Sequence, residues 1–377
     1  MSNDITLKQV NSRRDLNKFI AFPNKLFKDS PTYIPPLHMD EIGLLTKKNP
    51  SLEHCDLRMW LAYRENKIVG RVAAIINRSV NEKWNKKVVR FGWMDSIEDF
   101  DVFKALIDQV IAYGREMGMT EIEGPMGFTD MDKECWAIDN FDARQNMTLL
   151  YNPEYYVRYI EKLGFEIICK WQQNKMPASQ PIPDKVQRIN GLIAEKYKLR
   201  VVHLKKRSDV KPYVNKLFNT YNYAFKDLFD FVPLTQKEID VYVKQYVPFL
   251  NLDLTNLVVD ENDNLVAFGV AMPDLNAAYK KANGRLFPFG WYHLLKTVYA
   301  KKFDTIDLLL NGVHPDWQKR GVHSIYYAEM NRNTIKIGVK NAYTNPQIIG
   351  NEAEKIWHTT YDTEMLMTRA VFAKKID

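Results

Sequence analysis

The strongest constraint on the fold lies late in the chain, where residues 312–332 read GVHPDWQKRGVHSIYYAEMNR. An apolar run (Ile306, Leu308, Leu309, Leu310, Val313) enters a Pro315-Asp316-Trp317 turn, crosses Gln318 to His323, and leaves as a helix predicted to start near Ser324. That order is strand, tight loop, helix. The loop carries two cations, Lys319 and Arg320, and a glycine, Gly321. It opens onto a helix N-terminus, where backbone N–H groups lack intrahelical partners and the dipole end is positive. A diphosphate suits such a place. The signal is weak alone, because most strand-to-helix turns use glycine without holding phosphate.

At 377 residues the chain exceeds one ordinary core and predicts two domains. Apolar residues make up 46% and charged residues 26%, the balance of a globular protein rather than a disordered one. No apolar run approaches the ~20 residues that span a bilayer, and the N-terminal residues do not read as a signal peptide. The expectation is a cytoplasmic protein without a transmembrane segment. Cys55, Cys135 and Cys169 lie far apart without CxxC spacing, so neither a disulfide framework nor a metal site is expected. Residues 1–178 hold 25 basic and 25 acidic side chains and residues 179–377 hold 28 and 21, so all of the +7 excess falls in the second half. That bias fits a polyanionic cofactor, although nucleic acid, a membrane surface or merely solvated lysines produce it too.

Taken in order, Ile5–Val10 alternates as a strand, and Ser12 caps a helix from Arg13 to about Leu26. A hairpin over 60–77 turns at Glu65-Asn66, a strand follows over 88–95, a helix over 101–117, and a short strand over 120–123. A helix from Asn152 closes at Gly164. Residues 176–184 (MPASQPIPD) hold three prolines and read as a linker. The same order then recurs: a helix from Pro183-Asp184, a strand over 199–204, a helix over 211–226 and a hairpin over 255–273 turning at 261–264. It is a repeat of architecture, offset by roughly 190 residues, with little repeated sequence.

Gln318, Gly321 and His323 occupy the three fixed positions of a loop written Gln/Arg-x-x-Gly-x-Gly/Ala. The loop thereby resembles the acyl-CoA loop of the GNAT superfamily of acyltransferases, with His323 departing from the usual small residue. In the first half, Asn152, Tyr159 and Gly164-Phe165 resemble the late GNAT helix. The resemblance implies an α/β (α+β) fold of two tandem GNAT-like domains, each a mixed, mostly antiparallel sheet flanked by helices. Their expected bounds are 1–176 and 185–377, joined by the linker 177–184. Between its strand and helix the first domain has Met94-Asp95-Ser96-Ile97-Glu98-Asp99, acidic and without glycine, which repels a diphosphate. It is expected to keep the fold and to lack the phosphate loop.

What the resemblance implies for function is transfer of an acetyl or longer acyl group from acyl-CoA, without a metal, to the amine of a small molecule or peptide. Backbone around Val313 would fix the thioester arm; Gln318, Lys319, Arg320, Gly321, Val322, His323 and Ser324 would hold the diphosphate; Asn351 would touch the arm. His358, seven residues after Asn351, or Tyr361 one turn on, would protonate the leaving thiolate. Asp307, Glu329 and His314 are candidate bases without a feature that selects one. Tyr223, Phe229 and Phe231, in an irregular aromatic stretch, would line the acceptor pocket unless they are core. The basic and aromatic run from Phe287 to Lys302, with Trp291, would extend it. Two other readings stand beside this one: a non-catalytic acyl-CoA-binding protein, and an aminoacyl-tRNA-dependent transferase. Against the last, the basic residues are dispersed and no basic helical arm is present.

Overall fold

The computed structural model describes residues 4–350 and 363–376. It divides into two units, one of Met1–Gln172, Tyr279–Trp291 and Leu366–Asp377, the other of Gln173–Ala278 and Tyr292–Met365.

The first unit begins with β1 (Thr6–Gln9), α1 (Arg13–Leu26) and α2 (His38–Leu44), then the hairpin β2 (Cys55–Arg64) and β3 (Lys67–Asn77), and α3 (Arg78–Lys83). Glu65 and Asn66, at the tip, have φ of 49° and 63°, the double left-handed turn whose twist matches that of paired strands. There follow β4 (Val88–Ser96), α4 (Phe100–Glu116), β5 (Glu121–Gly124), β6 (Trp136–Ala137), α5 (Glu154–Lys162) and β7 (Glu166–Pro177). Strands β1 to β4 pair antiparallel in order, and β4 pairs β5 in parallel. Along α4, Val102, Phe103, Leu106, Ile107 and Val110 recur at helical spacing and are buried. They form one core with Val72, Ala74, Val89 and Phe91 of the sheet.

The second unit adds α6 (Asp184–Lys196), β8 (Arg200–Val201), α7 (Lys211–Ala224), α8 (Gln236–Tyr246), β9 (Thr255–Val259), β10 (Leu265–Pro273), α9 (Asn276–Ala282) and α10 (Gly290–Val298). Of these, the end of α9 from Tyr279 and the start of α10 to Trp291 fall in the residues of the first unit. β11 (Thr305–Val313), α11 (His323–Ile337), β12 (Asn341–Thr344) and β13 (Gln347–Ile348) complete it. β8 to β11 pair antiparallel, β11 pairs β12 in parallel, and β12 pairs the end of β7 antiparallel. The pattern repeats that of the first unit, with α11 in the place of α4. The strand expected over 199–204 is short: only Arg200 and Val201 pair with β9.

The division between the units departs from the sequence expectation at β7. Gln172 and Gln173, within β7, mark the division, rather than the proline-rich 177–184. The last strand, β14 (Glu364–Lys375), runs antiparallel to β5, with Phe372 opposite Gly124 and Lys375 opposite Glu121. Residues 366–377 therefore belong to the first unit rather than to a second domain of 185–377. Burial is the reason. Phe372 is 0% exposed with its ring 6.2 Å from Trp136, and Arg369, also 0% exposed, donates to the Cys135 and Leu150 carbonyls at 3.1 and 2.8 Å and to Gln145 Oε1 at 2.5 Å. An alternating apolar strand carries no mark of which sheet edge it completes. Phe372→Ala removes a fully buried ring, and a loss of about 3–5 kcal/mol is expected. It would be read as a lowered denaturant midpoint, followed by Trp136 fluorescence.

Candidate functional site

β11 pairs with β12 only from Thr305 to Leu308, and the last such partner is Thr344. Beyond that point β12 leaves while β11 continues to Val313 against β10 alone. Val270 faces Leu310 and Ala271 faces Leu308, so Leu309 is an extra residue bulged from the ladder. Its carbonyl accepts from Asn345 Nδ2 at 3.0 Å, a side-chain donor in place of a β12 backbone amide. The His314 amide donates to Val266 O at 2.8 Å. By the alternation of an antiparallel ladder, the backbone groups of Asn311 and Val313 then turn to the edge that β12 has left. On that edge the Val313 carbonyl accepts from Gln318 Nε2 at 3.3 Å, which ties the following loop to the strand end.

The loop itself is shaped by two left-handed residues, Lys319 at φ 61° and Gly321 at φ 75°. Gly321 suits that conformation; Lys319, with a Cβ, adopts it at a cost. Backbone that passes through left-handed residues in succession curls its N–H groups inward into an anion-binding concavity. The Gln318 amide closes on Pro315 O at 3.2 Å and that of Ser324 on Gly321 O at 3.1 Å. Between them, among the described residues, the amides of Lys319, Arg320, Gly321, Val322 and His323 have no protein acceptor. The Ser324 hydroxyl turns back to Gly321 O at 2.6 Å. Lys319 and Arg320 are exposed and have no carboxylate partner among the described residues; the Arg320 guanidinium lies over the Trp317 ring at 5.2 Å. α11 begins at His323, one residue before the expected start.

The corresponding turn of the first unit, between β4 and α4, is filled. The Ser96 amide donates to Tyr156 Oη at 2.8 Å, that of Ile97 to Val69 O at 3.0 Å and that of Asp99 to Ile97 O at 2.7 Å. Asp99 caps α4 with its own carboxylate, accepting from the amides of Asp101 and Val102, and pairs with Arg64 at 2.7 Å. The hydrogen bond from Arg64 holds the Asp99 carboxyl below its ordinary range.

The aromatic candidates separate. Tyr223 is 56% exposed, its ring 5.5 Å from that of His314 just past β11. Phe229 is half-buried. Phe231 is 0% exposed, its ring 5.5 Å from buried Tyr221, so it packs the core and does not line an open surface. Among the candidate bases, Asp307 is buried, Glu329 pairs with Arg332 on α11, and His314 Nδ1 accepts from the Asp316 amide at 3.4 Å. Asn351, His358 and Tyr361 lie outside the described residues. Cys135 is buried, and burial drives its thiol pKa well up, as suits a core residue. A cleft of about 250 Å³ between α6 and α11 is lined by Asn190, Ile325 and Arg332 among others, and includes no residue of 318–323. Among the described residues no group of His, Cys, Asp and Glu is arranged to hold a metal ion, and no helix is long and apolar enough to cross a membrane. Sequence reasoning missed the Leu309 bulge and the Asn311 backbone, because a bulge is a property of register and has no residue signature.

His323 is half-buried, its ring 6.2 Å from that of Tyr327, and burial lowers its pKa from the ordinary 6.5. Burial thus favours the neutral imidazole in the folded state, and the unfolded chain binds the proton first as pH falls. The stability this gives is complete above 6.5 and is lost as pH drops through the lower folded value. Thermal unfolding of His323→Gln is expected to depend less steeply on pH below 6.5 than that of the unaltered chain.

No family model matches the chain. It is 29% identical over 315 residues to protein YghO of Escherichia coli K12, covering 81% of this chain and 78% of that protein. It is 26% identical over 320 residues to a bacterial ceramide synthase of Caulobacter vibrioides, covering 84% and 82%. Among solved structures, a tandem GNAT protein from the clavulanic acid biosynthesis pathway superposes with a TM-score of 0.56 over 99% of both chains at 9% identity. A GCN5-related N-acetyltransferase from Sphaerobacter thermophilus superposes with a TM-score of 0.52 over 99% of this chain and 96% of that one at 10% identity. Likeness at such identities speaks for the fold, and the fold of this chain is the tandem GNAT fold of the GCN5-related N-acetyltransferases.

Proposed function

We propose that the chain is an acyl-CoA-dependent N-acyltransferase whose second unit binds the donor. The observation that carries this reading is the run of five amides at 319–323 without an acceptor among the described residues, curled by two left-handed residues beside two cations that have no carboxylate partner among those residues. Val322 is buried and Gly321 and His323 are half-buried, and helix-start N–H groups that lack an acceptor there form a place that an anion can complete. The fit extends to the rest of a CoA ester: Asn311 and Val313 offer N–H groups at the open edge of β11, where amide groups of an extended arm can add as a strand would.

Acyl-CoA supplies a thioester, whose carbonyl carbon bonds to the amine nitrogen as the C–S bond breaks. The chain's part is chiefly placement. Holding two reactants in line replaces a bimolecular encounter and supplies up to about 7–11 kcal/mol of the barrier. An N–H at the β11 edge donates to the carbonyl oxygen as it gains charge. A proton must reach the departing sulfur, and His358 is the candidate donor from its place after Asn351, with Tyr361 as the rival. The first unit, with its turn occupied by Asp99 and its own hydrogen bonds, is read as holding no diphosphate.

The amine acceptor is open to a narrower proposal. One relative bears the name bacterial ceramide synthase, and a ceramide is by definition an amide of a long-chain amino alcohol, so we place the acceptor of this chain in the class of long-chain amines. Exposed Tyr223 beside His314 stands at the end of β11 where such an amine would enter.

CoA at a hundredfold excess over its dissociation constant is expected to stabilise the protein by about 2.7 kcal/mol, seen as a raised melting temperature. Gly321→Ala forces a Cβ into a left-handed residue, at 2.8 Å from Ile193 Cδ1. It is expected to weaken CoA by about five- to thirtyfold, equivalent to about 1–2 kcal/mol. Absence of any CoA-dependent shift would end the reading. A second measurement separates enzyme from mere binder. Thiol release from a long-chain acyl-CoA with a long-chain amine is expected to fall at least about a hundredfold in His358→Ala while the CoA melting shift persists. No release from the unaltered protein with short or long amines would favour the non-catalytic acyl-CoA-binding reading.

A further inference from the structure

The segment joining α9 to α10 is unlike the rest of the surface. Phe287 and Phe289 are 70% and 71% exposed and Trp291 is 43% exposed, three large rings within five residues. Monomeric proteins scatter such side chains singly, and a cluster marks a surface that meets something. The segment is itself well seated in the first unit. The His38 amide donates to Gly284 O at 2.9 Å, the Lys280 ammonium bonds the Pro31 carbonyl, and Trp291 Nε1 donates to Pro288 O at 2.9 Å. A Cβ on Gly284 would stand 2.7 Å from Asn24 Nδ2, so the backbone is pressed close to α1. The rings are presented by an anchored loop.

Its charge is one-sided. From Leu275 to Phe303 the sequence has no Asp or Glu and six Lys or Arg. Lys281 and Arg285, both exposed, have no carboxylate partner among the described residues. Aromatic rings flanked by unpaired cations match the headgroup layer of an anionic bilayer, where rings sit at the polar and apolar boundary and cations meet the phosphates. A protein interface would favour the rings equally but gives no reason to remove every carboxylate over 29 residues.

We propose that Phe287, Phe289 and Trp291, with Lys281 and Arg285, dock the first unit onto the surface of an anionic lipid bilayer without crossing it. The inference stands apart from the acyltransferase reading, since no donor or acceptor enters it; were both right, a long-chain amine would be met at the membrane where it resides.

Flotation of the full chain with vesicles of three parts phosphatidylcholine to one part phosphatidylglycerol, without CoA, tests it. Binding is expected to these vesicles and to drop about tenfold or more on pure phosphatidylcholine or at 0.5 M salt, since each basic residue near the surface contributes several-fold and is screened by salt. Phe287→Ser with Phe289→Ser is expected to abolish flotation, and Lys281→Glu with Arg285→Glu to remove its dependence on phosphatidylglycerol. Both pairs alter exposed side chains, so melting temperatures should match the unaltered protein, and a variant that melts early is replaced by the milder Phe287→Ala with Phe289→Ala. The proposal is overturned if the unaltered chain fails to float, or floats equally in both variants. It is also overturned if light scattering shows a dimer that Phe287→Ser with Phe289→Ser converts to a monomer, which would make the face a contact between copies.

Discussion

What the candidate site depends on is the parting of β11 from β12 after Leu308. A parallel pair that stayed together to Val313 would satisfy every backbone group of β11 and leave no edge for a ligand. The bulge at Leu309 breaks the regular ladder, the Asn345 side chain takes up its carbonyl, and the sheet is interrupted where a ligand can complete it. The loop beyond inherits its position from the same feature. Gln318 reaches back to the Val313 carbonyl, so the curled amides of 319–323 are held in line with the open strand edge rather than free to swing. Unsatisfied backbone is costly when buried, and of these five residues Lys319 and Arg320 are exposed while Val322 is buried.

The two units show how much one turn decides. Both run three antiparallel pairings, one parallel pairing and a helix between the parallel strands. In the first, Asp99 supplies the anion that the helix N-terminus favours, and Tyr156 and Val69 take up the neighbouring amides. In the second, Lys319, Arg320 and Gly321 bring cations and a left-handed backbone and no carboxylate. The same architecture is self-capped in one place and open in the other, and the difference lies in fewer than ten residues.

Much of this was legible in the chain itself. The hairpin turn at Glu65-Asn66, the 101–117 periodicity and the strand, loop and helix around Gly321 are local signals, and the helices and the turn formed within a residue or two of their expected places, although β2 begins at Cys55, five residues before the expected strand. The long-range choices were not legible. Nothing in Glu364–Lys375 says that it pairs with β5, because an alternating strand fits any edge whose core face is apolar. Phe231 and Tyr223 are aromatic neighbours in one irregular stretch, yet one is core and the other surface, a distinction made by the packing of Tyr221 and not by composition. The proline-rich stretch 177–184 looked like a boundary, and the chain divides instead inside β7, since a strand can serve two cores along its length.

The placement of β14 has a consequence for how such a protein comes into being on the ribosome. Residues 173–278 and 292–365 can gather their own sheet as they emerge, whereas the amino-terminal lobe must wait, one sheet edge bare, until Phe372 and Arg369 have left the exit tunnel. Translation usually lets the earlier lobe settle first. Here residues 1–172 complete their sheet only with residues 366–377, and the β5 edge is the place where a nascent chain would most need shielding.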